Sequence, residues 1–176
     1  MADRQDFDAY VQQRWEPLLR TAVLLTGDAH AAEDLVQESL VRAARHWHRV
    51  DPGAVDTYVR RVMYTRWIDA WRWRRRQPDP VDTTEHDGLR HVVSQGDGAD
   101  ALATRLTLLD ALARLTPKQR AVIVARFYED RTEVDAARVL GCSVSTVKSQ
   151  TRHALDRLRV LAPELAHTFG REEAPR

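Results

Sequence analysis

The chain of 176 residues contains a single cysteine, Cys142. One cysteine cannot form an internal disulfide, and it excludes a zinc site built from several thiolates. The sequence also lacks an apolar run near the roughly 20 residues that a membrane-spanning helix needs. Its first ten residues are polar and acidic, unlike a signal or transit peptide. These absences predict a cytoplasmic protein without a membrane segment.

Signals of catalysis and of cofactor binding are also missing. The seven histidines show no spacing that suits a metal site. His46 and His48 are two residues apart on a predicted helix, so their side chains diverge. No glycine-rich phosphate loop or nucleophile motif occurs. The sequence therefore predicts neither an enzyme nor a bound cofactor or metal.

The apolar residues recur at helical spacing, and no alternation typical of strands competes with it. We predict an all-α fold with two small helical domains, of three and four helices, joined by a flexible acidic linker. The predicted boundaries are 1–76 for the first domain, 77–98 for the linker, 99–162 for the second domain and 163–176 for a tail. The predicted helix N-caps are Asp28, Thr116, Thr132 and Ser143.

Charge is arranged in blocks, although the formal net charge is only +1. Residues 59–76 contain seven arginines against one aspartate, and residues 102–162 contain eleven basic side chains against six acidic ones. Between them, residues 77–101 hold one arginine against six acids. Two basic regions separated by an acidic one predict more than one charged surface.

The stretch LGCSVSTVKSQTRHALDRLR predicts the turn and second helix of a helix-turn-helix. Gly141 would end the first helix and Ser143 would begin the second. One side of this helix is apolar, whereas the other begins with hydroxyl and cationic groups that can approach a polyanion, as in a recognition helix. This exposed face carries Ser145, Lys148, Ser149, Arg152 and His153. The alternative is an ordinary helical hairpin with a solvated face.

The stretch DTYVRRVMYTRWIDAWRWRRR predicts a helix with aromatic residues most of the way round. A first stripe, predicted to be core, contains Tyr58, Val59, Val62 and Trp73. Another stripe carries Tyr64, Trp67 and Trp71 among Arg60, Arg74 and Arg75. Bases stack on aromatic rings at about 1 to 3 kcal/mol each, and arginines pair with phosphates, so this stripe predicts binding of melted nucleic acid. The alternative is an aromatic core from which the arginines reach solvent.

The stretch HAAEDLVQESLVRAARHW predicts an amphipathic helix with an acidic exposed face. Its predicted core face consists of Ala32, Leu35, Val36, Ser39, Ala43 and Trp47. Its exposed face carries Asp34, Gln37 and Glu38. Because negative side chains repel DNA, this face predicts contact with a basic or mixed protein surface.

These segments, in this order and followed by LTPKQRAVIVARFYEDRTEVDAARVLGCSVSTVKSQTRHALDRLR, resemble the extracytoplasmic-function sigma factors of bacterial RNA polymerase. The resemblance covers about Phe7 to Leu161. It implies an alternative sigma factor that binds core RNA polymerase at the clamp helices and the flap and directs initiation at promoter DNA. The polymerase clamp helices would bind Asp34, Gln37 and Glu38. An anti-sigma factor is a further partner to expect from the resemblance.

The resemblance also implies the DNA contacts. The minus-ten element would be melted and read by loop 48–58 and by Arg60, Arg61, Tyr64, Thr65, Trp67, Trp71, Arg74 and Arg75. The minus-35 element would be read by Ser145, Lys148, Ser149, Gln150, Arg152 and His153. Thr65 stands where such sigma factors often have asparagine, and Gln150 where they often have arginine. The departure at Thr65 bears on the flipped-base contacts, and the departure at Gln150 predicts a changed sequence preference more than weaker phosphate binding.

A stand-alone helix-turn-helix regulator, whose first domain senses a signal, is the alternative function. Such a protein would bind promoter DNA without polymerase and would usually dimerise. The sequence offers no extra dimerisation helix, so the sigma-factor interpretation is preferred.

Overall fold

The structure, a computed structural model, describes residues 4–74 and 99–163. These residues form α-helices and turns and contain no β-strand, which confirms the predicted all-α fold. The N-terminal helices are α1 (Arg4–Thr26), α2 (Ala29–Ala44) and α3 (Val55–Arg74). The C-terminal helices are α4 (Ala99–Ala113), α5 (Pro117–Ile123), α6 (Glu133–Leu140) and α7 (Val144–Leu161). A π-helical turn, Val124–Tyr128, continues α5, and two short 3-10 turns, Trp47–Arg49 and Pro52–Ala54, join α2 to α3.

The predicted linker and all but the first residue of the predicted tail lie outside the described residues. The domain boundaries therefore stay a prediction. Among the described helices, none is both long and apolar enough to cross a membrane.

Local capping signals determine where several helices begin and end. Asp28 and Ser143 are confirmed as N-caps, because their side chains accept the backbone N–H of Ala31 at 2.7 Å and of Thr146 at 3.1 Å. Thr116 and Thr132 cap α5 and α6 in the same way. Gly141 ends α6 with φ of +65°, a left-handed conformation that strains residues with a side chain.

The core of the N-terminal helices lies where α2 packs between α1 and α3. The core face predicted for this segment is confirmed, since all six of its residues are buried, five on α2 and Trp47 in the 3-10 turn after it. Leu40, which the helical pattern leaves off that face, is buried as well. With α1 on one side of α2 and α3 on the other, the buried arc of α2 is wider than one stripe.

The N-terminal and C-terminal helices pack against each other. One continuous apolar cluster joins Val59 and Met63 of α3 to Val139 of α6 and Val147 of α7. Helix α3 lies against α5 and α6, and α1 lies against α4 and α5. A second cluster, built around Leu112, Ile123, Leu155 and Leu158, holds α4, α5 and α7 together.

This packing corrects the predicted faces of α3. Tyr64 (0% exposed), Trp67 (5%) and Arg60 (7%) are buried, although the sequence predicts that they face solvent. Trp73, predicted to be core, is 62% exposed. The physical reason is that α3 is covered on two sides. Helices α1 and α2 cover one side and α5 and α6 cover the other, so protein encloses the stripe predicted to bind DNA. Its remaining aromatic residue, Trp71, is half-buried.

Candidate polymerase and nucleic-acid interfaces

Helix α7 presents the face that the sequence predicts for a recognition helix. Its buried side holds Val147 in the cluster shared with α3, and Ala154, Leu155 and Leu158 in the second cluster. On the opposite side Ser145, Lys148, Arg152 and His153 are exposed, and Ser149 and Gln150 are half-buried. All six candidate minus-35 residues thus retain solvent access.

The hydroxyl groups at the start of α7 are already engaged within the helix. Ser145 Oγ lies 2.9 Å from the Oγ of the N-cap Ser143, and Ser149 Oγ donates to the Thr146 carbonyl at 3.1 Å. Lys148 Nζ lies 3.4 Å from a carboxylate oxygen of Glu133 on α6. Both partners of that ion pair are more than a third exposed, so it is worth little, and a phosphate can compete for the lysine.

The acidic face of α2 is placed as predicted. Asp34, Gln37 and Glu38 are all exposed on the side opposite the core. Glu38 also forms an ion pair with Arg66 of α3. This pair joins the acidic face to a groove along α3, so the two surfaces are neighbours.

The open groove along α3, here the α3 groove, combines cations with aromatic rings. It is lined by Arg42, Tyr58, Arg61, Val62, Thr65, Arg66, Asp69, Ala70 and Trp73. Arg61 and Thr65 are candidates from the sequence, and both are exposed. Arg42, Arg66 and the exposed Trp73 were missed as minus-ten candidates. The basic composition of residues 59–76 was a signal for Arg66 and the helical phase placed Trp73 on the wrong side, whereas Arg42 lies outside that segment, on α2.

Four described candidates of α3 do not line this groove, namely Arg60, Tyr64, Trp67 and Trp71. Arg60, Tyr64 and Trp67 follow one another at helical spacing on the buried stripe. The side chain of Arg74 and the whole of Arg75 lie outside the described residues. The structure therefore brings together only part of the predicted minus-ten set.

The buried stripe ends in a network of charges between the two groups of helices. Arg60 donates to Asp56 at 2.9 Å and forms an ion pair with Glu129, at the end of the π-helical turn. Arg131 donates to Glu129 at 2.7 Å and to Asp56 at 3.3 Å. Thr21 of α1 donates its hydroxyl to Glu129 at 2.9 Å. Every charged member has an opposite charge within hydrogen-bond distance, as burial requires.

The pKa shifts follow from this network. Burial alone would raise the pKa of the Asp56 carboxyl, but Arg60, Arg14 and Arg131 outweigh it, and the pKa is lowered. Burial would lower the pKa of Arg60, whereas Glu129 and Asp56 raise it, and the net shift is upward. Burial, aided by the negative charge of Glu129, raises the pKa of Tyr64 well above its usual value. These groups keep their ordinary charges at neutral pH.

A cleft lies between α3 and the helix-turn-helix, next to the α3 groove, with which it shares Arg61 and Thr65. It is lined from α3 by Arg61, Thr65 and Arg72, and from the C-terminal helices by Cys142 and Gln150 among others. The Arg61 guanidinium lies over Gly141, where an added Cβ would be 3.5 Å from it. Candidate residues for both promoter elements thus line one cleft.

Comparisons with known proteins identify the family of the chain. Residues 11–77 match the family model for sigma-70 region 2, and residues 111–160 match the model for sigma-70, region 4. The chain is 36% identical over 180 residues to the RNA polymerase sigma-E factor of Streptomyces coelicolor, across 100% of this chain and 98% of that protein. It is 36% identical to the ECF RNA polymerase sigma factor SigL of Mycobacterium tuberculosis, across 86% of this chain and 85% of that protein.

A solved structure shares the fold. It is the sigma factor RpoE of Bartonella quintana in complex with the anti-sigma factor NepR, with a TM-score of 0.64 at 23% identity, covering 90% of this chain and 98% of that one. The two matched regions, the full-length similarity and the helix-turn-helix lead to one assignment. The chain belongs to the extracytoplasmic-function sigma factors of bacterial RNA polymerase.

Proposed function

We propose that this sigma factor binds core RNA polymerase and directs it to promoters that carry minus-35 and minus-ten elements. The observation that carries the proposal is the helix-turn-helix, whose second helix is held by a buried apolar face and exposes cations on the other. The acidic face of α2 supports binding to a protein partner, because it would repel DNA. A regulator that acts without polymerase has no need of such a face.

The minus-35 element is assigned to the exposed side of α7. A recognition helix reads base edges with residues near its N-terminus, while flanking cations hold the phosphates. Ser145, Ser149 and Gln150 supply groups that can hydrogen-bond to bases. Lys148, Arg152 and His153 supply phosphate contacts or, for arginine, a bidentate contact to guanine.

The minus-ten element is assigned to the α3 groove. Its cations, Arg42, Arg61 and Arg66, suit the backbone of a melted strand, and Trp73 offers a flat ring on which an unpaired base can stack. Arg60, Tyr64 and Trp67 have no contact with DNA while the helices are packed as described. In this assignment the three are structural residues of the protein interior.

Binding of core polymerase is assigned to the acidic face of α2, with Asp34, Gln37 and Glu38. An anti-sigma factor is proposed as a second protein partner, since the related fold of RpoE was solved with one. We assign no catalytic step to the chain, because sigma factors are initiation factors. Its place of action is the cytoplasm, together with the polymerase.

Run-off transcription tests the proposal. Core polymerase and the purified chain are combined with a library of genomic promoter fragments from the source organism. We expect defined transcripts only when both proteins are present. Promoter binding by the chain alone, with no effect of it on where core polymerase initiates, would favour the stand-alone regulator.

A further inference from the structure

The connection between α2 and α3, here the α2–α3 loop (residues 48–54), has few contacts of its own with the core. Six of its seven residues are exposed, and only Val50 packs partly buried against the main apolar cluster. Its hydrogen bonds are local: the Gly53 N–H donates to the Asp51 side chain and the Ala54 N–H to the Asp51 carbonyl, both at 2.8 Å. Such bonds shape the turn but do not fix where it lies on the protein. The position of the loop therefore depends on the residues at its two ends.

At the first end of the loop, two aromatic residues of α1 pack on the ring of Trp47. Phe7 meets it edge to face with 4.9 Å between the ring centroids, and Tyr10 is tilted against it at 5.4 Å. Aromatic pairs at these distances stabilise beyond the area that they bury. The Trp47 indole N–H is buried and has no hydrogen-bond partner among the residues that the structure describes. Packing, and not a hydrogen bond, therefore fixes this side chain.

At the other end of the loop, the same Tyr10 makes a polar contact. Its hydroxyl donates to Oδ1 of Asp56 at 3.3 Å, in the first turn of α3. Burial, aided by the negative charge of Asp56, raises the pKa of Tyr10, so the phenol keeps its proton at neutral pH. The second carboxylate oxygen of Asp56 accepts from Arg60 at 2.9 Å, which holds the carboxylate in place. Tyr10 thus contacts the residue before the loop and a residue just after it.

The α2–α3 loop lies at one end of the α3 groove. Arg42, in the last turn of α2, and Tyr58, in the first turn of α3, both line this groove, and the loop is the chain between those two turns. The loop exposes His48 and Arg49, whose Nε donates to the His48 ring at 3.1 Å. A guanidinium and an imidazole at this end can contact the phosphates or bases of a strand that lies in the groove.

We propose that Tyr10 is a positioning residue for minus-ten recognition: together with Phe7 it joins Trp47 to Asp56 and so fixes the α2–α3 loop at the end of the α3 groove. Tyr10 does not line the groove and needs no contact with DNA. Groups that discriminate between bases must be held to within about 0.5 Å by the residues behind them. A loose loop would accept different bases more equally. The effect on promoters rests on the proposed function, whereas the effect on the loop does not.

The test compares Tyr10→Phe with Tyr128→Phe in the full chain. Both changes remove one phenol hydroxyl, and Tyr10→Phe keeps the ring that packs on Trp47. Tyr128 is 47% exposed, and its hydroxyl makes no hydrogen bond within the described part of the chain. Amide hydrogen exchange, followed residue by residue by NMR, reports on the loop without DNA or polymerase. Run-off transcription with core polymerase reports on selectivity, from one active promoter and from versions of it that differ by one base in the minus-ten element.

We expect Tyr10→Phe to speed amide exchange at Val50 and Ala54 by about two- to tenfold, the effect of one lost hydrogen bond. Exchange in the middle of α2 should stay as in wild type, because the loop loosens locally. The ratio of transcription from the parent promoter to that from its single-base variants should fall by a similar factor. Binding to core polymerase should not change, and Tyr128→Phe should match wild type in every measurement.

Unchanged loop exchange in a folded Tyr10→Phe would overturn the proposal. Faster exchange throughout the N-terminal helices, with an equal loss of transcription from all promoters, would overturn it too, because that pattern indicates a purely structural residue. If Tyr10→Phe loses its helices, Phe7→Leu, which loosens the contact with Trp47, replaces it under the same criteria.

Faster loop exchange with unchanged selectivity would reject the positioning role, provided that wild type supports run-off transcription. Absence of transcription with wild type rejects the proposed function instead. Loop exchange alone then decides whether Tyr10 fixes the loop.

Discussion

The two tryptophans Trp67 and Trp73 should respond to alanine substitution in opposite ways. Trp67 is 5% exposed within the main core, so Trp67→Ala leaves a cavity and should cost about 3 to 5 kcal/mol of unfolding free energy. For a chain of this length the melting temperature would fall by about 6 to 20 °C. Trp73 is 62% exposed, so Trp73→Ala should change the unfolding free energy by no more than about 0.5 kcal/mol.

Promoter opening should show the opposite order, with the larger loss for Trp73→Ala. If a base of the melted minus-ten strand stacks on Trp73, Trp73→Ala loses about 1 to 3 kcal/mol, or roughly 5-fold to 150-fold in promoter opening. Trp67→Ala, assayed well below its melting temperature, should open promoters nearly as wild type does.

Thermal unfolding followed by circular dichroism measures the first effect. Permanganate reactivity of promoter thymines, with core polymerase present, measures the second. A pre-melted bubble should rescue Trp73→Ala, because stacking is needed only after the strands separate. A larger loss of stability for Trp73→Ala than for Trp67→Ala would refute the burial argument. Wild-type opening by Trp73→Ala on duplex templates would remove this ring from the minus-ten surface.

Three further predictions address the other surfaces. Asp34→Arg combined with Glu38→Arg should weaken binding to core polymerase. Helix content should stay as in wild type, because both side chains are exposed. Unchanged affinity in a core-binding assay would exclude this face from the polymerase interface. Arg152→Ala should lose about 1 to 3 kcal/mol of binding free energy for the minus-35 element without a change in stability. Leu155→Ala should instead destabilise the fold by about 2 to 5 kcal/mol. Footprinting measures the first effect and melting curves the second, and wild-type binding by Arg152→Ala would contradict the assigned face. The pKa of Asp56 is lowered in the folded chain, so its contribution is complete above its unfolded value and is lost as the pH falls through the folded one. The unfolding free energy of wild type should therefore exceed that of Asp56→Asn by a constant amount from about pH 8 to 5, and the difference should shrink below about pH 4; a difference that persists in acid would show that the charge of Asp56 is not responsible.

The sequence alone was sufficient to predict features that depend on residues close together in the chain. Asp28, Thr132 and Ser143 cap their helices as predicted, because a cap depends on a side chain and an N–H group two or three residues away. The faces of α2 and α7 were also predictable, since each helix buries one side and charged residues mark the other. The exposed acidic face of α2 and the exposed polar face of α7 therefore follow from the sequence.

Helix α3 shows where that reasoning fails. Its aromatic residues surround the helix, so periodicity alone does not identify the covered side. The choice was made by two packing surfaces, one from α1 and α2 and the other from α5 and α6, which bury Trp67 and leave Trp73 exposed. The pairing of Arg60 with Glu129, 69 residues further along the chain, depends on the same packing. Which side of α3 is covered, and which charges meet there, was decided only by the tertiary structure, because both depend on helices distant in sequence.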